Sequence, residues 1–339
     1  MGYLVGTDEA GYGPNLGPLV VSATVWQAPG DPCEADLYKL LRNAVSATPP
    51  KSPAAKSKRV SVASGAATVA PVMKNVVWAD SKTLYQSGAG LGALETGLLA
   101  ALGLCSARPA TWHDAWQALD PLAAGLLDRL PWHLNFTCGL PVHADETAID
   151  ALAARLPTAM EQAGVRLLAV RSRAVFPEEW NELLDEHGNK CTVLSVLTLK
   201  LLAEKLAELN DEPVAVICDK HGGRNSYQAL LQQHVADYLV EVYAEGPERS
   251  TYQWGPSERR TQVEFCTKAE RYLPTALASM ASKYLRELAM LAFNDFWARN
   301  VPDLKPTAGY PLDARRFKVD IAAVQAGLAI DDRVLWRNR

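Results

Sequence analysis

Two adjacent carboxylates, Asp8 and Glu9, are the residues whose type and setting most favour chemistry. They end a short apolar run and precede a nearly bare loop at residues 11–14, which reads Gly-Tyr-Gly-Pro. Glycine lets backbone amides approach a ligand closely. Carboxylates beside such backbone indicate a metal ion and a phosphate. An acidic turn between two hairpin strands gives the same pattern, so other segments must decide.

A third carboxylate, Asp219, follows the apolar run at residues 214–218. Active sites of open α/β sheets gather at the carboxyl ends of strands, which favours a role in the site. The alternative is that Asp219 caps the following helix. His221 lies in the polar segment that follows, although a lone histidine is usually a surface or packing residue.

A fourth acidic residue, Glu287, lies on a helical segment at residues 278–290. The i+3 and i+4 spacing places Ser279, Lys283 and Glu287 on one flank. If this flank faces the edge of the sheet, Glu287 adds a carboxylate and Lys283 a cation. A plain surface ion pair between Lys283 and Glu287 explains the same spacing.

Four carboxylates from three separate segments fit a two-metal phosphoryl-transfer site better than a protonic acid and base. The predicted ligands are Asp8, Glu9, Asp219 and Glu287. Hard oxygen ligands select Mg²⁺ or Mn²⁺. Two such ions would activate a water and stabilise the leaving oxygen. The sequence shows no pattern that suggests a covalent nucleophile.

The elements that must position these residues follow the order of an α/β domain. Apolar runs and alternation predict strands at residues 4–8, 18–26, 76–82, 166–175, 213–219, 237–243, 252–254 and 261–267. Helical spacing predicts helices at 91–104, 112–130, 146–162, 190–209 and 275–299. Residues 29–73 are rich in Ala, Ser, Pro and Lys and are interpreted as a low-complexity insertion. Residues 86–163 are interpreted as a helical insertion.

Composition excludes several classes of protein. The chain has 339 residues and a net charge of −4, so any nucleic-acid contact must come from local basic patches. The candidate patches are residues 51–59, 259–260, 315–318 and 333–339, and each could equally be a solvated surface. Six scattered cysteines without a CxxC pair indicate neither disulfide framework nor zinc site. Without a signal-like segment or an apolar stretch of membrane-spanning length, a reducing cytoplasm is expected.

The chain resembles the type 2 ribonucleases H, ribonuclease HII and HIII, through motifs in the same order. Residues 8–14 match the family's Asp-Glu-Ala-Gly-Arg-Gly-Pro, and residues 80–84 match its Asp-Ser-Lys-Lys-Leu. Residues 279–287 match Ser-Ile-x-Ala-Lys-x-x-Arg-Asp, with Glu287 in place of the last aspartate. Further matches are Asp219 as the third carboxylate, Gly309-Tyr310 for the family's Gly-Tyr, and Asn189-Lys190 for its Asn-Ile.

The resemblance implies a ribonuclease H-like α/β fold, a mixed sheet flanked by helices, as a single domain over residues 1–339. It implies a metal-dependent endonuclease that uses two Mg²⁺ or Mn²⁺ ions. The substrate would be an RNA/DNA hybrid or a DNA duplex containing a ribonucleotide, cut to leave 5′-phosphate and 3′-hydroxyl ends. A monomer without a membrane partner is expected.

The resemblance also implies roles for individual residues. The 2′-hydroxyl side would be lined by Gly11, Tyr12 and Gly13, and Tyr310 would stack on a sugar. Lys82 and Lys283 would meet phosphates, and Ser81 and Asn189 complete the predicted substrate-binding set.

Two departures from the family pattern bear on these roles. Tyr12 replaces an arginine and removes a phosphate-facing cation. Glu287 has a longer arm than aspartate, which could shift the second metal or the preference between Mg²⁺ and Mn²⁺.

Two other functions stay open at this point. One is a nuclease of the same fold that acts on a DNA junction or another structured nucleic acid, which Tyr12 and the insertions motivate. The other is a nucleic-acid-binding module without catalysis. Retention of all four carboxylates argues against the second.

Overall fold

A computed structural model describes residues 1–49, 74–85 and 90–338 of the chain. The centre of the insertion predicted at residues 29–73 lies outside these residues, as does the basic segment 51–59. The described residues of the segment 86–163 are mostly helical.

A mixed sheet of seven strands forms the centre of the described structure. The strands of the chain are β1 (Gly2–Ala10), β2 (Leu19–Ala28), β3 (Val45–Ser46), β4 (Val76–Val77), β5 (Arg166–Val175), β6 (Val214–Asp219), β7 (Glu241–Ala244), β8 (Arg249–Trp254) and β9 (Thr261–Cys266). The order in the sheet is β5-β2-β1-β6-β9-β8-β7, and β3 and β4 pair separately. Strand β6 is parallel to both β1 and β9, and the other neighbours in the sheet are antiparallel.

Helices cover the sheet. They are α1 (Leu37–Leu40), α2 (Ser81–Leu84), α3 (Gly92–Cys105), α4 (Trp112–Leu119), α5 (Pro121–Ala124), α6 (Glu146–Ala153), α7 (Leu156–Ala163), α8 (Pro177–His187), α9 (Lys190–Ala207), α10 (Gln228–His234), α11 (Leu273–Asn300), α12 (Pro311–Gly327) and α13 (Asp332–Leu335). Short 3-10 turns lie at Leu127–Arg129, Ser257–Arg259 and Ala269–Arg271.

Strands β1 and β2 are buried on both faces, which explains their nearly continuous apolar sequences. Leu4 belongs to the core cluster that includes α3 and α11, whereas Val5 belongs to the cluster that includes α9. Successive residues of a strand point to opposite faces, so helices lie on both sides. The predicted architecture, a mixed sheet flanked by helices, is confirmed.

Helix α11 lies directly on the strand that carries Asp8 and Glu9. A Cβ atom at Gly6 would overlap the Pro274 backbone at the start of α11, so only glycine allows this approach. Most residues of the first five turns of α11 are buried. The long helix therefore brings its polar flank to the end of β1.

Three predicted boundaries were wrong for local reasons. The helix predicted at residues 112–130 breaks at Asp120, whose side chain accepts a hydrogen bond from the Ala123 amide at 3.0 Å and caps α5. The helix predicted at 146–162 is divided into α6 and α7 ahead of Pro157, because proline cannot continue a helix interior. The strand predicted at 76–82 ends at Val77.

Within the described ranges, none of the helices combines the length and the apolar character needed to cross a bilayer.

Candidate metal centre and substrate groove

The sheet brings two of the predicted carboxylates to one edge. Asp8 lies near the end of β1, and Asp219 is the last residue of the adjacent parallel strand β6. The register pairs Thr7 with Cys218, so the two acids follow at the next position of each strand. Asp8 is buried, with 7% of its surface exposed. The end of a parallel strand pair therefore collects these acids.

Glu270 completes this group, although sequence reasoning had not named it. One ligand oxygen each from Asp8, Asp219 and Glu270 lies within 4.8 Å of the other two. Glu270 belongs to the 3-10 turn between β9 and α11. The Ala269 amide of that turn donates to Asp219 Oδ1 at 3.3 Å.

A signal for Glu270 was present in the sequence. It lies four residues after β9, which is the neighbour of β6 and parallel to it. The rule that sites gather at the carboxyl ends of parallel strands applies to β9 as it does to β1 and β6. An acidic residue in the loop after β9 is therefore expected at the same edge of the sheet as Asp8 and Asp219.

Glu287 lies elsewhere on the groove. Ser279, whose hydroxyl group lowers the pKa of Asp8, precedes it by eight residues of α11. Eight residues of helix correspond to about 12 Å along the axis. Glu287 pairs instead with Lys283 and accepts a hydrogen bond from the Tyr85 hydroxyl at 3.0 Å. The structure thus places Glu270, not Glu287, beside Asp8 and Asp219.

Burial and mutual repulsion act on the carboxylates in the same direction. Burial first, and then the neighbouring charge of Glu9, raises the pKa of Asp8 well above its ordinary value. Burial and the charge of Asp219 raise the pKa of Glu9 to about 7. Burial and the charge of Glu270 raise the pKa of Asp219. Crowded, desolvated carboxylates with raised pKa values are a setting that a divalent cation relieves.

The donor set fits hard divalent cations. It consists of carboxylate oxygens, which suit Mg²⁺ and Mn²⁺. Lys82 adds a cation beside it, with Nζ 3.4 Å from Glu270 Oε1. Burial alone lowers the pKa of Lys82, but Glu270, Asp80 and Asp8 outweigh this and raise it. Lys82 therefore stays charged next to the carboxylates.

The glycine-rich loop after β1 forms one wall of an open groove of about 560 Å³ above the acids. Gly11 has φ of +88°, and a Cβ atom there would lie 2.5 Å from the Pro18 carbonyl oxygen. Only glycine suits this position. The groove-lining residues include Gly11, Tyr12, Gly13, Ser81, Lys82, Lys283, Glu287 and Tyr310.

Tyr12 is accompanied by a cation. Lys190 Nζ lies 4.7 Å from the centre of the Tyr12 ring, within cation–π range. Burial raises the pKa of the Tyr12 hydroxyl to about 12, so the ring is neutral. The arginine that the resemblance leads one to expect at position 12 is absent, but a lysine from α9 lies over the tyrosine that replaces it.

Tyr310 lines the groove next to this loop. It is 60% exposed, and its Cε1 atom lies 3.8 Å from where a Cβ atom on Gly13 would stand. An exposed aromatic ring beside bare backbone offers a face on which a sugar-like group can pack.

Two predicted binding residues contribute to the frame of the groove. Ser81 is buried, and its Oγ accepts a hydrogen bond from Ser279 Oγ at 3.0 Å, which ties α2 to α11. Asn189 caps α9, because its Oδ1 accepts a hydrogen bond from the Thr192 amide at 2.9 Å. Asn189 is not among the residues that line the groove in the described part of the chain.

Two earlier alternatives are settled by local contacts. Asp219 does not cap the following helix, because α10 begins only at Gln228. His221 is buried, with its Nδ1 atom 3.0 Å from Ser195 Oγ, and burial lowers the pKa of its ring to about 3. His221 is a neutral packing residue of the core.

Two arginines of the candidate basic patches pair with neighbouring acids. Arg316 contacts Asp313 at 2.6 Å and Asp320 at 3.0 Å, and Arg259 contacts Asp211 at 3.1 Å. Lys82 and Lys283 line the groove, where they pair with Glu270 and Glu287. Lys190 lies over Tyr12, which lines the same groove.

No protein-family model and no curated protein matches the chain. Among solved structures it is similar to the ribonuclease H2 from Pyrococcus horikoshii OT3, at 14% identity and a TM-score of 0.43, over 98% of this chain and 92% of that one. It is also similar to the RNase HII from Archaeoglobus fulgidus solved in complex with PCNA, at 13% identity and a TM-score of 0.39, over 99% of this chain and 94% of that one.

A third similar structure is Bst-RNase HIII in complex with Mn²⁺, at 16% identity and a TM-score of 0.40, over 99% of this chain and 66% of that one.

Proposed function

We propose that this chain is a metal-dependent endonuclease that cuts the RNA strand, or an embedded ribonucleotide, of a duplex with DNA. The observation that carries the proposal is the cluster of Asp8, Asp219 and Glu270 at the edge of an open groove lined by glycine-rich backbone and lysines. Burial of several charged carboxylates costs free energy, and a cation bound between them at the open groove would offset that cost.

Four carboxylates would hold two Mg²⁺ or Mn²⁺ ions: Asp8, Glu9, Asp219 and Glu270. Glu270 thus takes the place for which Glu287 had been predicted. When bound, the ions supply activation of a water and neutralisation of the charge that develops on the leaving oxygen. The protein residues hold these oxygens at fixed positions and keep Lys82 charged beside them.

The walls of the groove would orient the nucleic acid. Backbone amides of Gly11, Tyr12 and Gly13 would face the ribose, whose 2′-hydroxyl distinguishes RNA from DNA. Tyr310 would pack on a sugar, and Lys82, Lys190 and Lys283 would meet phosphates. Ser81 and Asn189 would act by holding α2 and α9 in place.

The test is cleavage of three labelled duplexes in Mg²⁺ or Mn²⁺. One is DNA with a single ribonucleotide, one is an RNA/DNA hybrid, and one is all DNA. Asp8→Asn should abolish cutting, because it removes one charged ligand from the cluster. Asp211→Asn is the matched control, since Asp211 pairs with Arg259 on the surface. Equal activity in the Asp8→Asn variant would rule the proposal out.

The substrate panel also separates the second candidate function. Tyr12 in the loop and the helical layer at α3–α7 favour a structured nucleic acid, such as a DNA junction, if neither ribonucleotide-containing duplex is cut. Failure to bind Mn²⁺ in calorimetry would favour a binding module without catalysis. We assign the enzyme to the cytoplasm, a proposal supported by six cysteines that form no disulfide. The monomeric state is what the family resemblance implies.

A further inference from the structure

Two buried arginines lie behind the glycine-rich loop. Arg286 of α11 is 4% exposed, and Arg337, which follows α13, is 1% exposed. Arg337 Nη2 donates hydrogen bonds to the carbonyl oxygens of Gly11 and Pro14. Arg286 Nη2 donates to the carbonyl oxygens of Ala308 at 2.9 Å and Leu16 at 3.4 Å.

Burial of these two guanidinium groups costs free energy. Burial lowers the pKa of both guanidinium groups, and the charge of Arg286 lowers that of Arg337 further. In the described structure, Arg337 Nε, Arg337 Nη1 and Arg286 Nη1 are buried without a hydrogen-bond partner. Buried charges cost free energy unless they are fully paired, and apolar side chains of similar volume are often more stable. Stability alone therefore does not account for two arginines here.

What the arginines do contact is the backbone of the groove wall. The acceptors named above are carbonyl oxygens of the loop and of the segment before Tyr310. The peptide unit is planar and trans, so its C=O and N–H groups point in opposite directions. The Gly11 carbonyl and the Tyr12 amide belong to one peptide unit. Because Arg337 binds the Gly11 carbonyl, the Tyr12 N–H points away from Arg337.

The backbone of Arg337 adds to the anchor. The Arg337 amide donates to the Asn15 carbonyl oxygen at 2.8 Å, and Asn15 Nδ2 donates to the Arg337 carbonyl oxygen at 2.9 Å. The guanidinium group also lies 5.1 Å from the centre of the Trp180 ring. Side chain, main chain and ring contact thus fix Arg337 and the loop as one unit.

We propose that Arg337, assisted by Arg286, is a positioning residue that sets the peptide planes of the Gly11–Pro14 loop for contact with the ribose at the cut site. The loop half of this inference, that Arg337 orients the loop, rests on the contacts above. The ribose half, that the oriented loop contacts the ribose, rests on the proposed function. Neither arginine needs to touch the substrate.

The test compares Arg337→Met with the wild type and with Arg333→Met. Methionine keeps much of the length and removes the guanidinium group. Arg333 lies four residues earlier and has a side chain exposed on the surface, 3.8 Å from Asp185, so it is a matched control. Amide hydrogen exchange of residues 10–18 reports on the loop. The ratio of cleavage at a single ribonucleotide to cleavage of all-DNA duplex, together with KM and kcat, reports on the ribose.

We expect faster exchange of residues 10–18 in Arg337→Met and a loss of ribonucleotide selectivity of about tenfold or more, because small misplacements of binding groups cost this much. Affinity for Mn²⁺ in calorimetry should stay unchanged, since the carboxylates keep their positions. In Arg337→Ala, guanidinium ion at low millimolar concentration should restore part of the selectivity. Arg337→Lys should restore less selectivity than guanidinium ion does, because lysine lacks the planar, forked set of N–H donors.

Unchanged exchange of residues 10–18 in Arg337→Met would overturn the inference. Faster exchange with wild-type selectivity and KM would overturn it too, since the arginine would then only stabilise the fold. If the wild type cuts none of the three duplexes, the proposed function and the ribose half fall together. The exchange measurement still decides the loop half in that case, so the two failures are distinguishable.

Discussion

The Ala269 amide donates a hydrogen bond to Asp219 Oδ1 at 3.3 Å, and this contact joins the turn that carries Glu270 to the end of β6. Lys268, just before it, adopts a left-handed backbone with φ of +58°. The turn therefore reverses sharply after β9 and presents Glu270 to Asp8 and Asp219. The position of the Glu270 carboxylate therefore depends on this local geometry.

Glu270→Gln should abolish activity, whereas Glu287→Gln should leave most of it. The first removes a charged oxygen from the cluster, and even groups that only support metal ligands typically cost 10- to 100-fold when lost. The second breaks the ion pair between Glu287 and Lys283, and Glu287 lies about 12 Å along α11 from Ser279. Cleavage rate and Mn²⁺ calorimetry measure the difference. Equal losses in the two variants would contradict the assignment of Glu270.

Glu9→Gln should stabilise the metal-free protein at pH 8, and the gain should shrink as the pH falls to 5. The pKa of Glu9 is raised from 4.5 to about 7 in the folded state. Between these values the folded chain holds a proton that the unfolded chain releases, so the free energy of unfolding falls as the pH rises. Glutamine does not titrate and removes this loss.

Thermal unfolding in EDTA from pH 5 to pH 8 measures the Glu9 effect. The buried histidines, His133 and His221, have pKa values near 3 and titrate alike in both variants. The difference between the variants therefore reports the titration of Glu9 together with its effect on the neighbouring Asp8. A gain that is the same at every pH would show that Glu9 does not titrate in this window.

Mn²⁺ should raise the melting temperature of the wild type and have little effect on Glu270→Gln. A ligand that binds only the folded state adds about 2.7 kcal/mol at a concentration 100 times its Kd. Chelation should return the wild type to its metal-free melting temperature. Asp211→Asn is the control, because its site lies outside the groove. An equal shift in wild type and Glu270→Gln would place the metal elsewhere.

Tyr310→Ala should raise KM about tenfold, and Tyr310→Phe should stay near the wild type. Tyr310 is exposed beside Gly13 at the groove, so its ring is available to the substrate. Alanine in place of a stacking aromatic costs about 1–3 kcal/mol per contact. Leu312 is also exposed, so Leu312→Ala controls for loss of apolar surface. Steady-state kinetics on the single-ribonucleotide duplex decide between these outcomes.

Elements with a continuous physical pattern were predictable. The buried runs of β1, β2 and β6 and the long helix α11 follow from hydrophobic patterning. Asp8 and Asp219 followed from their places at strand ends. Glu270 was missed because it lies in a turn whose direction depends on one left-handed residue, Lys268, and hydrophobic periodicity carries no such information.

The sequence left the location of Lys283 and Glu287 open for a different reason. Spacing of i, i+4 fits a surface ion pair and a pair that faces a groove equally well, and the structure shows an ion pair that lines the groove. Arg337 belonged to a segment that resembled a solvated basic patch. Its burial depends on carbonyl acceptors 326 and 323 residues away, which no local pattern can indicate.

The anchoring of Gly11 and Pro14 by Arg337 has a consequence for synthesis of the chain. Domains form from the amino terminus as translation proceeds. Asp8 and the loop emerge from the ribosome early, but the guanidinium group that holds the loop is added some 326 residues later. While translation continues, the wall of the groove has no Arg337 to hold it. A nascent chain therefore carries Asp8 without the finished wall of the groove until Arg337 has been added and can reach the loop.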